Sequence, residues 1–411
     1  MATDMEIDDS LYSRQRYVLG DHAMKKMASS SVLVYGMGGV GIEIAKNIVL
    51  AGVKALTVQD GNVATVQDLG TQFFLRDVDI KQQRNRAEAS VHRLSELNPY
   101  VSLNILTYSI EDDTDLEYLN QYQCIILTEL PLHLQIKINN FCREQSPQIK
   151  FISCDVYGVF CSAFCDFGDS FEVTDPNGEE PKDIFIESIS KDNPALVTCL
   201  QEKMHGLEDG DHVTFKEVNG MTEINDKIFS ISVRTPESFT INCDTSNQEF
   251  SPFTHGGRAI QVKTPILMKY ESLEKQLFNP KLLLCDLSKF ESPSMIHLGF
   301  MALHKFKQEN DRLPNVWCKT DAEVVVALSK ELNEQMETKA TSLDEDLICM
   351  MSYTCRGSFA PLCAALGGFV AQEGLKALTG KFTPLNQMIY LDSVDVISKE
   401  DCSNSSLFQP R

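Results

Sequence analysis

Val32-Leu33-Val34-Tyr35-Gly36-Met37-Gly38-Gly39-Val40-Gly41 opens a stretch that runs through Ile42–Gly52 to Val53–Asp60. The first four residues form the short apolar run of a strand buried on both faces, and apolar residues then resume at helical spacing at Ile42, Ala45, Ile48 and Val49. The segment therefore reads strand, glycine turn, helix, strand. In such a unit Gly36 lets the chain turn tightly, Gly38 lets backbone approach a phosphate, and Gly41 lets the helix lie close on the sheet. Gly39 belongs to the same turn, and Asp60 closes the second strand about 20 residues on, where such folds hydrogen-bond a ribose hydroxyl. The expected fold is α/β and Rossmann-like.

The alternation continues outward. Ala87–Leu97 is an amphipathic helix stopped by Asn98-Pro99, Cys124–Thr128 a third buried strand, Leu134–Cys142 a helix and Phe151–Cys154 a strand, which together imply a parallel sheet with right-handed crossovers. Upstream, Leu11–Gly20 precedes a helix through Met27 and carries Arg14 and Arg16 among aromatics, as a solvated face or as reach toward an anion. After Tyr157 the period changes to short β segments such as Val213–Phe215 and Phe229–Val233, between turns at Thr174–Gly178, Glu208–Asp211 and Asn219-Gly220. Pro265–Ser352 is helical, with apolar three-and-four spacing in Met295–Gln308 and Asp321–Glu337. Pro361–Thr379 reads as a small-residue helix packed on a sheet, and Met388–Leu391 and Val394–Ile397 as strands. The organisation expected is a first α/β part at 1–170, an inserted β domain at 171–258, a four-helix bundle at 265–350, a completing α/β part at 351–398 and a linker at 399–411.

Bulk properties narrow the class. A length of 411 residues with 43% hydrophobic content supports a large core in several units. The formal net charge of -21 argues against nucleic-acid or anionic-membrane binding and favours basic partner surfaces. No apolar run approaches the roughly 18 residues of a membrane helix, and the acidic start (Asp4, Glu6, Asp8, Asp9) does not read as a signal peptide. Thirteen cysteines, an odd number scattered through apolar segments, read as reduced core residues of an intracellular protein. Without Cys-x-x-Cys or spaced histidines, no metal site is expected.

Several blocks, taken in order, resemble the N-terminal half of a eukaryotic ubiquitin-activating enzyme. They are Leu11–Gly20, Gly36–Asn47, Asp68–Leu75, Glu96–Val101, Asp192–Leu200, His255–Gly257 and Gln372–Phe382. The resemblance implies a ThiF/MoeB-type adenylation fold present as an inactive copy, with the inserted β unit known in the family as the first catalytic cysteine half-domain. The complete enzyme would use ATP and magnesium to adenylate the C-terminus of ubiquitin or a ubiquitin-like modifier, then pass it to a cysteine as a thioester for ubiquitin-conjugating enzymes. Its active adenylation half would lie beyond Arg411. The implied location is cytoplasmic, with the nucleus as an alternative. Cys199 reads as a packed strand residue and not the nucleophile.

Measured against active members of the family, the pocket lacks its cations. Ungapped matching puts Asn62 at a second aspartate, Asp68 at an asparagine, Thr71 at an arginine and Gln82 at a lysine, and only Gln72 is retained. Where the active domain carries a magnesium-binding aspartate, an asparagine and a later arginine, this chain offers Glu129, Leu130 and Leu134. A triphosphate needs cationic donors and a magnesium ligand, so Gly36, Gly38, Gly39, Gly41 and Asp60 read as a vestigial nucleotide pocket that binds no cofactor. By the same resemblance Arg14 crosses to the active half and contacts ATP phosphates there, whereas Arg16 has no such assignment. Three other readings remain open: a nicotinamide-dependent oxidoreductase using the same glycines and Asp60, a free-standing ubiquitin-like-protein binder, and a regulatory subunit for another modifier.

Overall fold

The structure, a computed structural model, describes residues 8–200 and 204–397 and divides into two compact units. The segment read as a linker at 399–411, and the acidic Asp4 and Glu6, lie outside the described residues.

The first unit takes in the chain through Phe171, Met268–Gly380 and the part from Pro384 on. Its strands are β1 (Ser31–Tyr35), β2 (Ala55–Gln59), β3 (Ser102–Leu106), β4 (Cys124–Thr128), β5 (Lys150–Tyr157), β6 (Phe160–Asp166), β7 (Leu282–Leu283) and β8 (Met388–Asp392). They form one sheet in the order β7-β8-β6-β5-β4-β1-β2-β3. The run β3-β2-β1-β4-β5 is parallel throughout, with Val34 level with Val58 on one side and Ile126 on the other. The expectation of a parallel sheet is corrected beyond β5. There Gly158, at φ +65°, turns the chain back in a tight hairpin, so β6 is antiparallel to β5 and β8 antiparallel to β6.

Alternate side chains of the central strands face opposite layers, as the two-residue period requires. Leu33, Tyr35, Ile125, Leu127 and Phe151 join one hydrophobic cluster with α5 (Leu132–Glu144) and the helical window. On the other face α2 (Gly39–Ala51) packs with α10 (Ala360–Thr379), and Gly374 of α10 lies over Ile126 and Ile48. The α2–α10 approach is tight, because a Cβ at Gly367 would lie 2.4 Å from the Cβ of Glu43. Buried Glu373 accepts the Leu385 N–H at 2.7 Å and pairs with Lys376 at 2.6 Å, which fixes the turn from α10 toward β8.

Two boundaries differ from the sequence reading. Helix α1 (Asp9–Ala28) already contains Leu11–Leu19 and is broken at Gly20, whose φ of 77° and ψ of 163° are not helical. Val394–Val396 is a 3-10 turn and not a strand, since the Asp392 carboxylate accepts the Val394 N–H and ends β8 in a local turn. The helical window carries α6 (Leu273–Phe278), α7 (Ser292–Asn310), α8 (Lys319–Gln335) and α9 (Glu345–Thr354). His297 of α7 is fully buried: its Nε2–H donates to the Leu277 carbonyl at 2.8 Å and its Nδ1 accepts from Tyr390 Oη at 2.7 Å. One neutral imidazole thus joins α6, α7 and β8.

The second unit, Glu172–Leu267 with Lys381–Thr383, contains a closed barrel of six strands. Around the barrel these are His212–Lys216, Ile228–Thr235, Ser238–Ile241, Ala195–Cys199, Asp183–Ile189 and Arg258–Val262, each antiparallel to its neighbours. Val197, Val213, Phe215, Phe239, Ile241 and Ala259 fill its interior. Cys199 is buried in the same core, and burial pushes its thiol up to about 11, away from nucleophile chemistry at neutral pH.

Two outcomes follow from this packing. Gly367→Ala is expected to destabilise the protein by about 1–3 kcal/mol through overpacking against α2. Gly368→Ala, whose Cβ meets nothing within 4 Å, should be neutral or stabilising by about 0.5–1 kcal/mol. Urea unfolding of both variants separates them. Burial lowers the His297 pKa from 6.5 to about 4. Between those values the unfolded chain binds a proton that the folded chain does not, so this contribution is complete above pH 6.5 and is lost as the pH falls toward 4. Unfolding free energies from urea titration should fall more steeply for the wild type than for His297→Asn across that window, by up to about 3 kcal/mol.

Candidate functional site

The glycine turn sits at the C-terminal ends of the parallel strands, where α/β sheets hold ligands. Gly36 takes φ +86° after β1, and α2 begins at Gly39 with its N-terminus toward the end of β4. A second helix, α4 (Arg86–Ser95), starts alongside it. Asn85 is its N-cap, accepting the Ala87 and Glu88 N–H groups while its Nδ2 donates to the Asp60 carbonyl at 2.6 Å. This capping places Arg86, the first residue of α4, inside the pocket.

Only 8% of the Arg86 side chain is exposed, and three carboxylates surround it. Its Nη2 lies 2.7 Å from Asp60 Oδ2 and 2.6 Å from Glu129 Oε2, its Nη1 is 3.1 Å from Asp68 Oδ1, and its Nε donates to Asp60 Oδ2 at 2.9 Å. Burial works against the charged guanidinium, but the three acids outweigh it and hold the group more firmly protonated than an ordinary arginine. Asp60 is equally committed. Its Oδ2 also accepts the Met37 N–H at 2.6 Å and its Oδ1 the Asn62 N–H at 2.7 Å. The aspartate expected at a ribose hydroxyl is buried and spends both oxygens on the protein itself.

The open faces of the glycines are filled in the same way. A Cβ at Gly38 would lie 1.8 Å from Glu129 Oε1, one at Gly39 would lie 2.6 Å from Thr71 Oγ1, and one at Gly36 would lie 2.2 Å from Thr128 Oγ1. A Cβ at Gly41 would meet the Gly36 carbonyl at 1.6 Å, so this glycine is required by the turn. Backbone thus requires glycine at Gly36, whose φ is positive, and at Gly41, whereas at Gly38 and Gly39 the nearest neighbour is a side chain of this chain.

The other residues singled out in the sequence are dispersed. Asn62 and Gln82 are exposed, the latter at the end of α3 (Asp77–Lys81). Gln72 is buried, donating to Ser90 Oγ at 2.7 Å and accepting the Phe74 N–H, and Leu130 and Leu134 belong to the hydrophobic core. Arg14 is exposed on α1, whereas Arg16 pairs with Asp21 at 2.7 Å. The sequence reading missed Arg86. The resemblance points to Gln82 for a pocket cation, whereas the available local signal for Arg86 is Asn85 as helix N-cap with an arginine directly inside it.

A model of the ThiF family matches residues 12–405. The chain belongs to the ThiF family. It is 50% identical over 407 residues to ubiquitin-like modifier-activating enzyme 6 of Homo sapiens, across 99% of this chain and 38% of that protein. The corresponding protein of Mus musculus is 49% identical, and ubiquitin-like modifier-activating enzyme 1 of Oryctolagus cuniculus is 43% identical over 97% of this chain. The chain spans less than two fifths of the length of these curated relatives. Crystal structures of E. coli MccB overlap 37% of this chain and 47% of that one, at 19% identity and a TM-score of 0.34.

The residues of this ThiF pocket do not fit a triphosphate. One guanidinium faces three acids, and each carboxylate about 5 Å from a phosphate oxygen would cost about 3 kcal/mol at an effective dielectric constant of about 20. The cluster ties the ends of β2 and β4 to α4, and its removal should show as lost stability. Arg86→Ala leaves the buried Asp60 carboxylate without its cation and is expected to cost about 3–5 kcal/mol in urea unfolding. Arg84→Ala, from a half-exposed guanidinium 3.3 Å from Asp79, should cost under about 1 kcal/mol.

Proposed function

We propose that this chain is the inactive adenylation half of a ubiquitin-activating enzyme, working as scaffold and not as catalyst. The observation that carries the reading is the pocket closed from within. A glycine turn whose open faces meet Thr128, Glu129 and Thr71, with its one guanidinium paired to three carboxylates, disfavours a nucleotide here, so ATP and magnesium are assigned to the active half of the complete enzyme. Ubiquitin or a ubiquitin-like modifier is its macromolecular substrate, and conjugating enzymes accept the product.

The outer surface of α1 supports the other part of the reading. Tyr12, Met24 and Met27 anchor the helix in a buried cluster, Asn98 Nδ2 donates to Tyr12 Oη at 2.6 Å, and Gln15 Nε2 donates to the Ala51 carbonyl at 2.8 Å. The outward side exposes Leu11, Val18 and, at 92%, Tyr17, together with Arg14. A rigidly held helix with apolar groups around one arginine suits docking on the active half, with the guanidinium delivered to ATP phosphates there. The same exposed face would serve a regulatory subunit, but the barrel insert of nearly a hundred residues favours the activating enzyme.

In the complete enzyme, Arg14→Ala is expected to slow ATP:pyrophosphate exchange by roughly 10 to 100-fold, about 1.4–2.7 kcal/mol of transition-state stabilisation. Stability should be nearly unchanged, and Arg14→Lys should restore activity only in part, since a point charge cannot reproduce a planar two-pronged contact. Arg16→Ala serves as the neighbouring-charge control. Equal losses at Arg14 and Arg16 would reduce the effect to net charge, and ubiquitin-dependent exchange by the isolated chain would overturn the scaffold reading.

A further inference from the structure

Glu129 is an unusual residue to find where it stands. It follows β4 with φ at +61°, in the left-handed region that favours glycine and that side-chain-bearing residues rarely adopt. Its neighbours Thr128 and Leu130 are buried, yet Glu129 keeps 43% of its side chain open while Oε2 seats on Arg86 at 2.6 Å. The other oxygen, Oε1, stands so close to the backbone of Gly38 that a single added methyl group there would overlap it. An anionic group therefore covers the bare backbone at the start of α2 and contacts a guanidinium that is more than nine-tenths buried. A terminal phosphate held by such a turn would need the same two partners.

We propose that Glu129 is an internal anion that plugs the glycine pocket, and that its removal uncovers a binding site for inorganic polyphosphate built from Arg86 and the start of α2. This rests on the reading that the wild-type chain binds no nucleotide, and it adds the cause. The pocket is closed by a competing ligand carried on the chain, with the cation still in place behind it. Asp68, 3.1 Å from Arg86 Nη1, is the second carboxylate that must be neutralised before a multiply charged ligand can enter. Asp60 is not part of the plug, because its oxygens also hold the Met37 and Asn62 N–H groups.

The left-handed backbone makes the test clean. Glycine is at ease at φ +61°, so Glu129→Gly removes the carboxylate while relieving the backbone, a gain that offsets part of the lost pair to Arg86, and a cooperative thermal melt confirms that the variant is folded. Titration calorimetry with magnesium-free tripolyphosphate is expected to give no saturable heat with wild type. Glu129→Gly/Asp68→Asn should bind at least 10-fold more tightly than any wild-type signal, and adding Arg86→Met should abolish the gain. Glu129→Asn/Asp68→Asn, which also tolerates the left-handed backbone, should give the same direction of change and guards against misfolding of the glycine variant. A folded double variant whose tripolyphosphate affinity stays within twofold of wild type overturns the plug, as does a gain that survives Arg86→Met. Binding of ATP by wild type would instead sink the scaffold reading, so the two failures are distinguishable.

Discussion

The buried Arg86 guanidinium organises the end of the sheet. Asp60 comes from the end of β2, Asp68 from the following 3-10 turn, Glu129 from the end of β4, and Arg86 itself from the first turn of α4. Four segments, three within residues 60–86 and the fourth at Glu129, are fixed by one cation that has little access to water. A charge buried this deeply is tolerated only with partners of opposite sign and good geometry, so every segment that carries a partner is constrained in turn. The crevice at the carboxyl ends of parallel strands, elsewhere a place for ligands, has here become part of the protein's own framework.

The outlines of that framework were legible wherever burial and local order coincide. Val32–Tyr35 and its glycines announced β1 and α2 because the strand is covered on both faces and the turn admits no side chains. The closing helix α10 was visible through its small residues, which Gly367 explains by its approach to Glu43. β3 was missed because it is an edge strand whose Ser102, Asn104 and Ile105 are exposed, leaving no apolar run to detect. β6 was missed because a hairpin through Gly158 reverses the sheet direction without changing its composition, and a period-based reading registers periodicity but not direction. The break in α1 depends on one glycine's dihedral angles, which the identity of Gly20 allows but does not dictate.

The site was harder to read than the fold. The glycines and Asp60 were found, but their partners were not, because those partners are chosen by three-dimensional closeness. Glu129 was noted for the metal ligand it replaces, while its contact with Gly38 becomes apparent only when β4 lies beside β1. Arg86 was hidden because the family's pocket lysine falls at Gln82, a residue with its side chain in solvent, and only the fold brings Arg86 to Asp60 and Glu129. Counting residue types therefore found the pocket poor in cations, whereas the structure places one buried cation there, already paired with three carboxylates.

The contact between α2 and α10 has a consequence in time. Glu43 and Gly367 touch although about 320 residues of chain separate them, and at a synthesis rate of about 5–20 residues per second α2 precedes its partner by roughly 16 to 65 s. Throughout that interval Ile48 has no Gly374 to cover it, and once β6 is made its edge stands unpaired until β8 follows. The whole barrel is made in the meantime and, being one compact unit, is able to fold while the layer begun before it is still waiting. A nascent chain built this way exposes apolar surface for roughly 16 to 65 s at each round of translation, which makes its yield sensitive to chaperone supply and to ribosome pausing in the stretch that encodes α7 through α9.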